Sequence, residues 1–176
     1  MVKGNNLIME SFTLRPIEIE DARYIYEWKN DSEIFKYLGG GYAPQSLADI
    51  NNNISFLVKQ STSTKRFIII HRETAEPVGL VGLYDINMVH RTCEIGIYIG
   101  NKKFQKRGAA SIAVNRIENY AKQFLNLRKI ILFVVSENKS AVKFWKKHNY
   151  QHVGTLTKHR YIDGKYADVE LREKFL

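Results

Sequence analysis

The chain predicts an α+β fold, a mixed central β-sheet of about seven strands with helices on both faces. Three observations predict it. Residues 93–99, Cys-Glu-Ile-Gly-Ile-Tyr-Ile, alternate with period two and lead through a basic turn into a helical stretch. Residues 129–135, Lys-Ile-Ile-Leu-Phe-Val-Val, are a near-continuous apolar run, as in a strand buried on both faces. Residues 161–169 place two apolar runs around Asp163-Gly164, a hairpin signal.

The elements follow in order. Residues 11–15 read as a strand and residues 18–30 as an acidic, amphipathic helix. The stretch Gly39-Gly40-Gly41-Tyr42-Ala43-Pro44 is a loop, and Ser46 opens a second helix that runs to residue 59. Strands at 66–71 and 78–84 are parted by a Glu76-Pro77 turn. A loop at 87–91 leads to the strand 93–99, where Cys93, Ile95, Ile97 and Ile99 face one way and Glu94, Gly96, Tyr98 and Gly100 the other. Glu, Gly, Tyr and Gly on one face suggest a groove rather than a tightly packed surface. The helix 108–124 sets Ile112, Ile117, Tyr120 and Phe124 on one side. Residues 136–150 begin with cap-type residues and place Ala141, Phe144, Trp145 and His148 at helical spacing. The closing hairpin completes one domain over residues 1–176, with no internal repeat.

Composition bounds the function. A content of 44% hydrophobic and 26% charged residues is that of a soluble globular protein. The opening Met1-Val2-Lys3-Gly4-Asn5-Asn6-Leu7 has no apolar signal core, and no run is long enough to cross a bilayer, so a cytoplasmic location is expected. The single cysteine, Cys93, precludes an internal disulfide and reads as a packing residue. A formal net charge of +9 invites a nucleic-acid reading, but the charge is spread along the chain without a recognisable binding motif. Direct nucleic-acid binding is therefore disfavoured. No metal site is expected: His148 and His152 are parted by a helix end, and no third ligand follows at a suitable spacing.

The basic turn carries the chemistry. In Gln105-Lys106-Arg107-Gly108-Ala109-Ala110, a glycine before a helix lets backbone N–H groups approach an anion, with Lys102, Lys103, Lys106 and Arg107 nearby. A pyrophosphate fits such a mouth. No G-x-x-x-x-G-K-[ST] or G-x-G-x-x-G is present, which sets aside the Walker-type and dinucleotide readings. The remaining pattern, Gln105-x-x-Gly108-x-Ala110, resembles the acetyl-CoA pyrophosphate loop of the GNAT acyltransferase superfamily. Residues 138–145 resemble the second motif of that family, Asn-x-x-Ala-x-x-x-Tyr, with Trp145 at the tyrosine position and Asn149-Tyr150 in place of the usual Gly-Phe. The closing order from Tyr161 to Val169 and the opening Leu14-Arg15-Pro16 are similar to the ribosomal-protein and polyamine N-acetyltransferase branch. The resemblance spans residues 11–173.

The resemblance implies a GNAT fold and acetyl-CoA as cosubstrate. It implies a cofactor site of Tyr98, Ile99, Gly100, Gln105, Lys106, Arg107, Gly108, Ala109, Ala110, Asn138, Ala141 and Trp145. The pantetheine arm would pair with residues 98–100 as an added strand. Acetyl transfer to an amine needs a proton acceptor, because a lysine-like amine is charged at neutral pH. Glu94 is the candidate base, with a structural ion pair to an Arg or Lys as the competing reading. Tyr98 is the second catalytic candidate. Trp145 cannot supply the proton that the family's tyrosine gives the leaving thiolate, because an indole N–H only donates a hydrogen bond. Trp28, Glu33, Tyr37 and Tyr166 are the acceptor candidates. The acceptor could be a protein N-terminus, polyamine, aminoglycoside or amino sugar, and the basic chain leans towards one of modest charge. The expectation is a monomeric or homodimeric N-acetyltransferase that works by direct attack in a ternary complex. The alternative is a GNAT-fold acyl-CoA-binding or regulatory protein with little turnover.

Overall fold

The computed structural model describes residues 11–59 and 61–176, so the reading of the first seven residues lies outside the described ones. The strands are β1 (Phe12–Pro16), β2 (Lys65–His71), β3 (Pro77–Asn87), β4 (Thr92–Ile99), β5 (Lys129–Val135), β6 (Gln151–Ile162) and β7 (Lys165–Phe175). The helices are α1 (Ala22–Lys29), α2 (Ser32–Phe35), α3 (Leu47–Val58), α4 (Ala109–Gln123) and α5 (Lys139–Lys147). The strands form one seven-stranded sheet in the order β1-β2-β3-β4-β5-β7-β6. All neighbours run antiparallel except β4 and β5, which are parallel.

The period-two pattern of the strands sends side chains into two cores. Ile68 and Ile70 of β2 join Ile25 and Trp28 of α1 and Ile50 and Ile54 of α3 on one face. Ile69, the residue between them, joins Cys93 and Ile95 of β4 and Ile112, Val114 and Ile117 of α4 on the other. Full burial of each such aliphatic side chain contributes about 1.5–3 kcal/mol, so both helix layers are held to the sheet chiefly by apolar burial. Phe124, expected on the apolar face of α4, is 75% exposed. The helix ends at Gln123, which takes Phe124 out of the repeat, and its ring stacks on Tyr120 instead.

Local chemistry sets the ends. Ser46 caps α3 by accepting from the Asp49 N–H, and the Asp49 carboxylate accepts from the Ser46 N–H in return. The helix expected over 18–30 is interrupted: Ile19–Asp21 is a 3₁₀ turn, and α1 begins at Ala22. Buried Asp21 imposes the break, because its carboxylate accepts two bonds from Arg15, at 2.6 and 2.7 Å, and one from the Glu18 N–H. β3 continues three residues past the expected Tyr84 through a bulge at Asp85, whose φ is 49°. Asp163 and Gly164 both have positive φ, 49° and 84°, the type I′ geometry that joins β6 to β7.

Candidate active site

The site begins where β4 and β5 part. They pair only from Thr92 to Glu94 and from Lys129 to Ile131. Beyond Glu94, cavities lie between the two strands, and the β5-facing edge of β4 has no strand partner among the described residues. Below this wedge a cavity of about 560 Å³ runs from Ile97, Tyr98 and Ile99 to the start of α4. Gln105, Lys106, Gly108, Ala109 and Ala110 line its mouth. Gly108 sits at φ 86° as the N-cap of α4, a left-handed conformation that a side chain disfavours, and Lys106 is left-handed too, at φ 60°. The turn thus presents the unpaired N–H groups of the first turn of α4 to the mouth. The Gln105 amide donates to the Ile99 carbonyl at 3.2 Å and ties the loop to β4.

Helix α5 closes the wedge from the β5 side. Asn138 caps it by accepting from the Ala141 N–H at 3.1 Å, which leaves the side-chain NH₂ as the group it can offer a ligand. Asn138, Ala141 and buried Trp145 line both the mouth and the adjoining cavity. The Trp145 ring is held edge-on between Phe144 and Tyr150. Tyr150 itself is buried and donates to Glu118 at 2.9 Å, so it cannot stand in for the missing tyrosine. Asn149 takes φ 65° at the helix end, the conformation for which an Asn substitutes for Gly.

Glu94 stands at the junction. A cavity of about 450 Å³ joins it to Tyr98, Trp145, Tyr37 and Arg160. Burial raises its pKa, the Asp85 carboxylate adds to the rise, and Arg160 opposes it. Among the described residues, no cation lies within 4.0 Å of the Glu94 carboxylate, so the structural ion pair is not formed. Burial likewise raises the pKa of Tyr98, whose ring is set edge-on against Trp28 and Phe35. Tyr98 is therefore a neutral hydrogen-bond donor. Cys93 points into the opposite core with its thiol pushed up to about 12 by burial, so it is a packing residue.

Behind Glu94 lies an inner chamber of about 350 Å³, with Lys29, Leu38, Gly39, Arg66, Tyr84 and Tyr98 among its walls. Paired glycines make its floor. Gly82 and Gly96 face each other across β3 and β4, and the Tyr84 ring lies over both. A Cβ would stand 2.6 Å from the Tyr84 hydroxyl at Gly82 and 3.1 Å from the ring at Gly96. Arg160 reaches over from β6 to donate to the Tyr37 carbonyl at 3.1 Å, so the hairpin and the 37–41 loop meet above the junction.

The sequence-predicted residues separate into two groups. Glu33, Tyr37, Glu94, Tyr98, Ile99, Gln105, Lys106, Gly108, Ala109, Ala110, Asn138, Ala141 and Trp145 line the mouth or the junction. Trp28 is corrected: it is buried in the α1 core and lines none of the three cavities. Tyr166 lines none of the three cavities either and stands exposed on the hairpin with its ring against Tyr161. Gly100 lines none of the three cavities, and its bare Cα is explained by the Trp28 ring, which a Cβ would meet. Arg107 is exposed beside the mouth, and Lys102 is drawn away into an ion pair with Asp31. Lys29, Arg66, Tyr84, Ser111 and Arg160 were not anticipated. Only Gly82 and Gly96 hinted at them, as a gap that a large side chain must fill.

This frame of a parted strand pair, a glycine turn into a helix and a capped helix across the wedge is that of a transferase acting on acyl-CoA. The acetyltransferase (GNAT) domain family matches residues 11–151, and the chain belongs to that family. The enzyme is an acetyl-CoA-dependent N-acetyltransferase. It is 32% identical to spermidine N(1)-acetyltransferase of Vibrio cholerae over 170 residues, covering 93% of this chain and 95% of that one. It is 32% identical to spermidine N(1)-acetyltransferase of Escherichia coli K12 over 160 residues, covering 90% and 82%. The crystal structure of the Vibrio cholerae spermidine N-acetyltransferase with CoA and spermine is similar at a TM-score of 0.83 and 29% identity, covering 94% of this chain and 96% of that one.

Proposed function

We propose that this enzyme acetylates a primary amine, and that the amine attacks the thioester directly while both substrates are bound. The carrying observation is that Glu94 lies on the wall shared by the junction and the inner chamber, beside the cofactor wedge. Acetyl-CoA supplies the activated carbonyl and a thiolate leaving group. The N–H groups at the start of α4, with Lys106, receive its pyrophosphate, and the free edge of β4 receives its amide-bearing arm. Glu94 takes the proton of the incoming ammonium, directly or through water, for which a raised pKa suits it. Tyr98 donates a hydrogen bond from a hydroxyl that stays protonated. The mouth and the junction share Tyr98, Asn138, Ala141 and Trp145, so donor and acceptor fit side by side, which supports a ternary complex.

The acceptors named for the relatives, spermidine and spermine, support a primary alkyl amine as the reacting group, and polyamines are among the substrates to test. Among the described residues, no helix is long and apolar enough to cross a membrane, and a cytoplasmic enzyme fits the proposal. The test is acetyl-CoA-dependent thiol release with spermidine, an N-terminal peptide, an aminoglycoside and an amino sugar. Release above the no-acceptor background with any of them is the expected result. A flat panel with acetyl-CoA bound would overturn the reading.

A further inference from the structure

The inner chamber has a charge pattern that a polyamine does not match. Glu94 is the one carboxylate among its described lining residues, and it shares the chamber with Lys29 and Arg66. The Lys29 ammonium is half-buried, donates to the neutral Gln45 side-chain oxygen at 3.2 Å, and has no carboxylate within 4.0 Å among the described residues. Arg66 lies over the Tyr84 ring, 5.5 Å from its centroid, and also donates to the Phe56 carbonyl at 3.4 Å. At the junction each carboxylate is only partly offset by a cation, and Asp85 adds negative charge beside Glu94. Lys36 lies 3.8 Å from Glu33, and Arg160 acts electrostatically on Glu94. An acceptor whose amine reaches Glu94 and whose remainder is cationic would set like charges against Lys29 or Arg66 in a partly dry cavity. Burial lowers the pKa of Lys29, which marks an ammonium short of counter-charge. The apolar part of the wall, with Ile25, Phe35, Leu57 and Leu80, leaves room for a short carbon frame between the two ends.

We infer that the acceptor carries an anionic group, a phosphate or a carboxylate, apart from the amine it presents to Glu94, and that Lys29 and Arg66 receive that group. The inference rests on the transferase reading above and names the rest of its acceptor. Like charges repelled and opposite charges held at one subsite separate this enzyme from a polyamine acetyltransferase by substrate remainder, not by reacting group.

The test compares kcat/KM for matched amines: glucosamine 6-phosphate against glucosamine, 4-aminobutyrate against its amide, and spermidine beside both pairs. The expected result is an anionic member preferred over its neutral partner and over spermidine by about tenfold, the scale of one charge-assisted hydrogen bond. The pair that responds distinguishes phosphate from carboxylate. In Lys29→Gln and Arg66→Gln the preference ratio should fall below threefold, mainly through KM, and Arg66→Lys should restore most of it. Spermidine as the preferred acceptor overturns the inference and leaves the transferase reading intact. So does a ratio near one in both pairs, or a ratio unmoved by either glutamine variant. Where a variant does not fold, the wild-type ratios alone decide. No turnover of any amine, with acetyl-CoA bound, overturns the transferase reading and this inference together.

Discussion

Glu94 shows how position on a strand decides chemistry. Its neighbours Cys93 and Ile95 are buried in the α4 core, while Glu94 meets the cavities because a strand alternates its faces. Burial and Asp85 raise its pKa, and the proposed role as base needs the deprotonated form, so the rate is expected to climb as pH rises through that raised value. The acid limb of kcat/KM should therefore lie above the ordinary glutamate value of about 4.3. Glu94→Gln should lose that limb and reduce turnover by about 10²-fold or more, with acetyl-CoA affinity kept. A pH profile of the two proteins checks it, and an unchanged limb would remove Glu94 as the base. A second residue-scale case is Gly100. A methyl group there meets the Trp28 ring, so Gly100→Ala should cost about 1–3 kcal/mol by overpacking. Thermal unfolding of the variant measures this, and an unaltered midpoint would mean that Trp28 moves freely.

At the scale of elements, the turn into α4 is the most demanding. Gly108 holds φ 86° and opens the cofactor mouth at the same point. Gly108→Val adds a β-branched side chain to a left-handed residue, a strain of about 1–2 kcal/mol, and places that bulk at the proposed seat of the pyrophosphate. Acetyl-CoA affinity by calorimetry should fall at least tenfold, and affinity within twofold of wild type would refute the assignment. This turn was legible in the sequence because glycine, basic residues and a following amphipathic run are local signals. So were β5, the Asp163-Gly164 hairpin and the Asn138 cap, each written in a few adjacent residues. The acceptor chamber was not legible. Lys29, Arg66 and Tyr84 of the inner chamber and Arg160 of the junction come from four separate elements, and no local pattern states that sheet order will bring them together. That Trp28 and Tyr166 lie outside the three cavities was not legible for a related reason. An aromatic side chain reads alike in a core, on a hairpin surface or in a pocket, and only packing separates the three.

At the scale of the molecule, the sheet is divided where β4 and β5 part, and a ligand in the wedge ties its two halves. Acetyl-CoA binds only the folded chain, so at 100 times its Kd it should add about 2.7 kcal/mol, a rise in Tm of ~5–11 °C for a chain of this size. Differential scanning calorimetry with and without the ligand reads the shift directly. No shift at saturating ligand would deny that the wedge is its seat. The two substrate sides also differ in how far along the chain their parts lie. Apart from Glu33 and Ile34 of α2, the lining of the mouth is drawn from β4 through α5, consecutive elements of the chain. The roof of the acceptor side depends on Arg160 reaching Tyr37, a bond between residues 123 positions apart. Contacts of such separation carry a large loop-closure entropy and form slowly. During refolding, the chain should therefore regain acetyl-CoA binding before it regains acetylation of an amine, passing through an interval in which it holds the donor with nowhere yet to deliver it.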